Sequence, residues 1–131
     1  MKATPLVWTG RVLSALFALF MLGASVAPKL MGMPVADEIM AHLGWPPGYV
    51  FGIGVVELTL TLLYIYRPTS VLAAVLFMGL FGGAMATNMR AEQPLFSHTL
   101  FSIYLGLAMW GGLWLRDEKL RAVFPWRRKD A

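Results

Sequence analysis

Glu57 is the residue in this chain best placed to do chemistry. It lies eight residues into an otherwise apolar stretch, "YVFGIGVVELTLTLLYIY". A carboxylate near the centre of a bilayer costs on the order of 3 kcal/mol unless it is paired, protonated or hydrated. Gly54, Glu57, Thr61 and Tyr64 recur at i, i+3, i+7 and i+10, which is one helical face. The first apolar stretch carries a matching stripe of Arg11, Ser14, Ala18, Ser25 and Lys29. A third polar group gathers at the bend "ATNMRAEQPLFSHTLF", where Asn88, Arg90 and His98 stand close in sequence and Ser102 follows His98 by one turn. Polar stripes on apolar helices face the bundle interior. Ser25, Lys29, Glu57, Asn88, Arg90, His98 and Ser102 are therefore expected to line a polar pocket with Glu57 at its floor, and Thr61 continues the face below it. Two uses of Glu57 stay open. It handles a proton or a ligand, or it forms a structural ion pair with Lys29 or Arg90 that locks helices together.

Several other chemistries are excluded or weak. There is no cysteine, so disulfides, thiolate catalysis and iron–sulfur ligation drop out. His42 and His98 stand in different loops and are a weak signal for haem ligation. No His-x-x-x-His or acidic cluster suggests a metal, and none is expected. No Gly-rich phosphate loop, nucleophile elbow or nucleic-acid module is present. The methionines, among them Met21, Met78 and Met109, read as packing filler.

The elements that must position these groups are membrane helices. The chain has 131 residues, 58% of them hydrophobic and 14% charged, with a mean hydropathy of +0.65. A single domain of that length cannot bury so much apolar surface in water. Four continuous apolar segments, about Trp8 to Ala27, Tyr49 to Tyr66, Ser70 to Thr87 and Ser97 to Leu115, predict an all-α, four-span bundle forming one domain over residues 1–131. The first segment ends in "ASVA", as a cleaved signal peptide would, but three segments of like character follow and it is read as a retained helix. "YRPTS" predicts a tight hairpin in which Thr69 or Ser70 caps the next helix. Between the first two spans, Val35, Ile39, Met40 and Leu43 fall at helical spacing and predict a short amphipathic helix lying at the interface.

Charge sets the expected orientation. Lys2, Arg11, Arg67 and a basic tail over residues 116–131 share one side, with Arg116, Lys119, Arg121, Arg127, Arg128 and Lys129 in the tail. Asp37, Glu38 and Glu92 offset Lys29 and Arg90 on the other. The positive-inside rule puts both termini in the cytoplasm. Trp8, Trp45, Tyr49, Tyr66 and Trp114 stand near span ends, as an aromatic belt would. Gly79-x-x-x-Gly83 permits close helix contact; packing inside the bundle is favoured over a homo-oligomer.

These motifs resemble the DoxX-like family of small bacterial membrane proteins. The resemblance rests on "RVLSALFALFMLGASVAPKL", then "GVVELTLTLLYIYRPTSVLAAVLFMGLFGGAMATNMR", then "PLFSHTLFSIYLGLAMWGGLWLRD". It implies four helices in a bacterial inner membrane. Members of the wider DoxX/DoxD group are linked to thiosulfate:quinone oxidation, to oxidative-stress complexes and, more distantly, to membrane chaperones. Members often carry histidine where this chain has Asn88, and asparagine cannot titrate near neutral pH. Two functions are therefore expected. One is binding of a small hydrophobic or quinone-like ligand, none held covalently, in support of a redox partner protein. The alternative is a non-catalytic accessory or assembly factor for a membrane complex, its polar cluster purely structural. The partners in either case include the lipid bilayer and exclude nucleic acid; enzyme status stays undecided.

Overall fold

The computed structural model describes residues 4–127. The cations Lys2, Arg128 and Lys129 of the charge argument lie outside those residues. Six helices and no strand occur among the described residues. They are α1 (Pro5–Leu30), α2 (Pro34–His42), α3 (Val50–Ile65), α4 (Ser70–Arg90), α5 (Phe101–Arg116) and α6 (Glu118–Val123).

Helix α1 starts at Pro5, where Thr4 accepts the Val7 N–H on its side chain at 3.2 Å. A proline at the first helical position has no N–H to lose. The helix was expected to stop near Ala27, yet it continues to Leu30 through Pro28. Its register widens to a π-helix over Met21–Val26, where the Ala27 N–H reaches the Leu22 carbonyl. Pro28 supplies the reason. It has no N–H, and its ring clashes with the carbonyl four residues earlier; a wider turn lets the chain pass without a break.

Helices α1, α3, α4 and α5 alternate in direction and close into a bundle. The C-terminal end of α1 packs on the start of α3, and its N-terminal end runs antiparallel along α5. Glycines set the closest approaches. A Cβ built on Gly10 would lie 2.7 Å from the Gly112 carbonyl oxygen, and one on Gly54 would lie 2.8 Å from Lys29 Cβ. The core holds Phe17 and Met21 of α1, Leu60 and Tyr64 of α3, Ala73, Ala74, Phe77 and Phe81 of α4, and Met109 and Leu113 of α5. Phe17 meets Tyr64, Phe77 and Phe81 edge-on, with ring centroids 5.1, 5.4 and 6.2 Å apart. The outer surface is apolar as well: Leu16, Leu19, Leu62, Val75 and Leu107 are all more than half exposed. Thr59, on that face, returns its hydroxyl to the Val55 carbonyl at 2.8 Å, which removes its need for an outside partner.

By length and composition, two helical stretches can cross a membrane, Pro5–Leu30 and Arg67–Arg90; Val50–Ile65 is apolar but shorter. Three expectations need correction. Gly79 and Gly83 do not pack inside the bundle, since a Cβ at either would meet nothing within 4 Å. The face that α4 buries is Ala73, Ala74, Phe77 and Phe81, and the two glycines point away from it. Thr69 and Ser70 do not cap α4 through their hydroxyls. They donate backwards, Thr69 to the Leu63 carbonyl at 2.7 Å and Ser70 to the Tyr64 carbonyl at 2.6 Å, where α3 ends with unpaired acceptors. The basic tail is not a plain extension either. Asp117 caps α6 by accepting the Leu120 N–H at 3.1 Å, Leu120 is buried, and Arg121 donates to the Trp114 and Leu115 carbonyls at 2.8 Å each. Trp114 turns its indole N–H to the Phe124 carbonyl at 2.9 Å, tying the segment after α6 to the end of α5.

Candidate functional site

The expected α3 face is the buried one. Gly54, Glu57, Thr61 and Tyr64 are all buried, Glu57 at 5% exposure. Gly54 sets the geometry one turn above Glu57. Its missing side chain lets Lys29 and Leu30 of α1 lie directly on α3, and Lys29 Nζ then reaches Glu57 Oε1 at 2.9 Å. The π segment presents Ser25 on the same side, and its hydroxyl donates to Glu57 Oε2. Lys29 Nζ also donates to Ser25 Oγ at 2.8 Å and to the Ser25 carbonyl at 3.3 Å. Thr61 donates to the Glu57 backbone carbonyl at 2.7 Å. Both carboxylate oxygens are thus occupied, one by a cation and one by a hydroxyl, and both partners come from α1.

The remaining expected members stay apart from this triad. Asn88 donates to the Ala84 carbonyl of its own helix at 2.8 Å. Arg90 donates to the Leu43 carbonyl at 3.3 Å and so straps the end of α2 to the end of α4. His98 is exposed and pairs with its neighbour Ser97 at 2.8 Å. Ser102 is buried, with no hydrogen bond to the triad among the described residues. Among the described residues, none of these four side chains is hydrogen-bonded to Glu57, Lys29 or Ser25. At the bend, Asn88 and Arg90 donate to carbonyls of their own helix and of α2's end. A depression of about 190 Å³ lies beside Lys29, lined by Leu30, Gly32, Asp37, Gly48, Val50 and Phe51, and Glu57 is not among its walls.

A second polar cluster sits at the opposite end of the bundle. Tyr64 donates its hydroxyl to the Met109 carbonyl at 2.7 Å and shares a hydrogen bond with Ser14 Oγ at 2.9 Å. Arg116 Nε donates to Ser14 at 3.1 Å, and its guanidinium lies 5.8 Å from the Tyr64 ring centroid. Three helices meet there. The face of α3 and the stripe of α1 marked Tyr64 and Ser14 in the sequence. In the sequence Arg116 is only the first cation of the basic tail; the signal for its role is its place one turn beyond Gly112, the glycine that brings α5 against α1. Arg11, the first member of that stripe, lies outside the cluster and stacks on Trp8 at 5.0 Å. Between the two clusters the core is filled by Phe17, Met21, Leu60 and Phe77, and the one buried hydroxyl on that stretch of α3, Thr61, donates to the Glu57 carbonyl.

Among known proteins, the profile of the DoxX-like family matches residues 12–112 of this chain. No curated protein and no solved structure matches. The matched span includes the whole Ser25–Lys29–Glu57 triad together with Ser14 and Tyr64, and ends short of Arg116.

Proposed function

The chain belongs to the DoxX-like family, and from that premise we propose that it is a non-catalytic accessory or assembly component of a membrane complex. Its buried polar groups act as clasps between four membrane-crossing helices. One observation carries this reading: Glu57 is closed, with Lys29 on one carboxylate oxygen and Ser25 on the other. A quinone-like ligand would also have to reach a carboxylate that is only 5% exposed. The depression beside Lys29, at about 190 Å³, is smaller than the roughly 300 Å³ at which small-molecule pockets begin. Proton passage from Glu57 to the far cluster would have to cross the aromatic layer around Phe17. The π segment at Ser25 is the one feature that favours a ligand, since such segments recur at functional sites; here Pro28 accounts for it.

The four-span topology is supported by packing. Helices α3 and α5 have 16 residues each, about 24 Å at 1.5 Å per residue, against a hydrocarbon core of about 30 Å. Each runs antiparallel to α1 and α4, against which it packs, α5 is preceded by a further helical turn at Leu95–Thr99, and their outer faces carry Leu62 and Leu107. The excess of cations at the Arg116 end supports cytoplasmic termini in a bacterial inner membrane. The test is native electrophoresis of the chain solubilised from its own host membrane, as wild type and as the Lys29→Met/Glu57→Gln double variant. Migration of both within the same larger assembly is expected. Wild type migrating as a lone chain, or loss of the assembly in a folded double variant, overturns the reading.

A further inference from the structure

The two ends of the bundle differ in how their charges are used. At one end, Lys29 is paired with Glu57 and Arg90 is bound to the Leu43 carbonyl, while Asp37, Glu38 and Glu92 are exposed. At the other end, Arg11, Arg67, Lys119 and Arg127 are all exposed, and among the described residues none has a carboxylate within ion-pair distance. Arg116 and Arg121 add two more cations, fixed to Ser14 and to the carbonyls that end α5. Of the acids described there, Asp117 is engaged in capping α6 and Glu118 is exposed. Helix α6 orders part of this surface. With Leu120 buried, Lys119 and Val123 of α6 point outward one turn apart, and Trp126, just beyond the helix, is exposed as well, Val123 at 56% and Trp126 at 73%. An indole and a valine beside exposed cations suit the boundary between acyl chains and headgroups.

We infer that this end is a docking surface for anionic phospholipid headgroups, with Arg11, Arg67, Lys119 and Arg127 as the phosphate-facing cations and Trp126 as the interfacial anchor. The inference rests on the four-span reading. Charge complementarity commits it to lipid, since basic groups flanking membrane helices attract acidic headgroups. Each cation removed should lower retention of an anionic lipid about fivefold.

The full-length protein in mild detergent is mixed with phosphatidylglycerol, phosphatidylcholine or inorganic phosphate and read by native mass spectrometry. Wild type should retain phosphatidylglycerol over phosphatidylcholine. The variant R11Q/R67Q/K119Q/R127Q should lose that preference, and R90Q, at the other end, should keep it. Raising NaCl from about 0.05 to about 0.5 M should strip the preference from wild type by screening, a test that does not depend on the quadruple variant folding. Equal retention of the two lipids by wild type overturns the inference, as does a preference that survives the variant or the salt. Displacement of phosphatidylglycerol by inorganic phosphate also overturns it, because the surface would then read a free anion. Alkaline carbonate washing of membranes separates the two levels: a chain that stays embedded without lipid preference sinks only this inference, and a released chain sinks the four-span reading with it.

Discussion

Glu57→Gln removes one charge of a pair and leaves the other in place. The Lys29 and Glu57 side chains are 16% and 7% exposed, with N and O 2.9 Å apart. At an effective dielectric of about 20 their attraction is about 6 kcal/mol. That is offset by several kcal/mol of desolvation for each ion. The pair as a whole is therefore near balance, while either half alone is not. Losing one partner of a buried pair costs about 3–5 kcal/mol. Lys29 lies near the end of α1, where its ammonium can swing toward the interface, so Glu57→Gln should cost about 2–3 kcal/mol. Lys29→Met strands the carboxylate deeper in the bundle and should cost at least as much. The double variant replaces an ion pair by an apolar chain facing an amide and should cost no more than about 2 kcal/mol. The coupling is then about 2 kcal/mol or more, well above the 0.3–0.5 kcal/mol within which independent sites add. Reversible unfolding by dodecyl sulfate in mixed micelles, followed by the fluorescence of the 5 tryptophans, measures all four corners of the cycle. Single costs below about 1 kcal/mol that simply add in the double variant would refute the clasp.

The glycines divide by contact. Gly10→Ala and Gly112→Ala force a Cβ against backbone atoms at 2.7–2.9 Å and should each cost about 1–3 kcal/mol in the same assay; Gly79→Ala and Gly83→Ala meet nothing and should be neutral or slightly stabilising. Gly54→Leu should separate Lys29 from Glu57 and give a loss close to that of Glu57→Gln; a much smaller loss would mean α1 does not rest on α3 as described. Tyr64→Phe leaves the Met109 carbonyl and Ser14 without their hydroxyl partner and should cost about 1–2 kcal/mol, with Ser14→Ala adding less than its separate cost because the two share one network. Arg90→Gln releases the strap on α2, so limited proteolysis near Leu43 and Gly44 should quicken while global unfolding stays within about 0.5 kcal/mol of wild type.

Periodicity carried much of this structure in the sequence. The face Gly54–Glu57–Thr61–Tyr64 is buried as a unit, because a polar group on an apolar helix has one favourable direction to point. The pair Lys29–Glu57 was one of the two pairings that charge and depth allowed. The grouping of Asn88, Arg90 and His98 with it was not realised, because nearness in sequence and similar depth say nothing about rotation around a helix axis. Asn88 and Arg90 donate to backbone carbonyls instead. The role of Arg116 was hidden for a related reason. A cation after an apolar span reads as a solvated flank, and only the Gly10–Gly112 contact reveals that its backbone lies against α1. The same limit explains Gly79 and Gly83: a glycine spacing says that close approach is permitted, whereas the bulk of Phe77 and Phe81 decided which face of α4 turned inward.

The most direct test of the closed clasp is chemical. Wild type and Glu57→Gln are purified in mild detergent, their bound small molecules are extracted for mass spectrometry, and absorption spectra are recorded alongside. The clasp predicts the same extract from both proteins, with the variant only less stable. A quinone or other hydrophobic ligand present in wild type and missing from a folded Glu57→Gln protein would contradict it and make Glu57 part of a binding site.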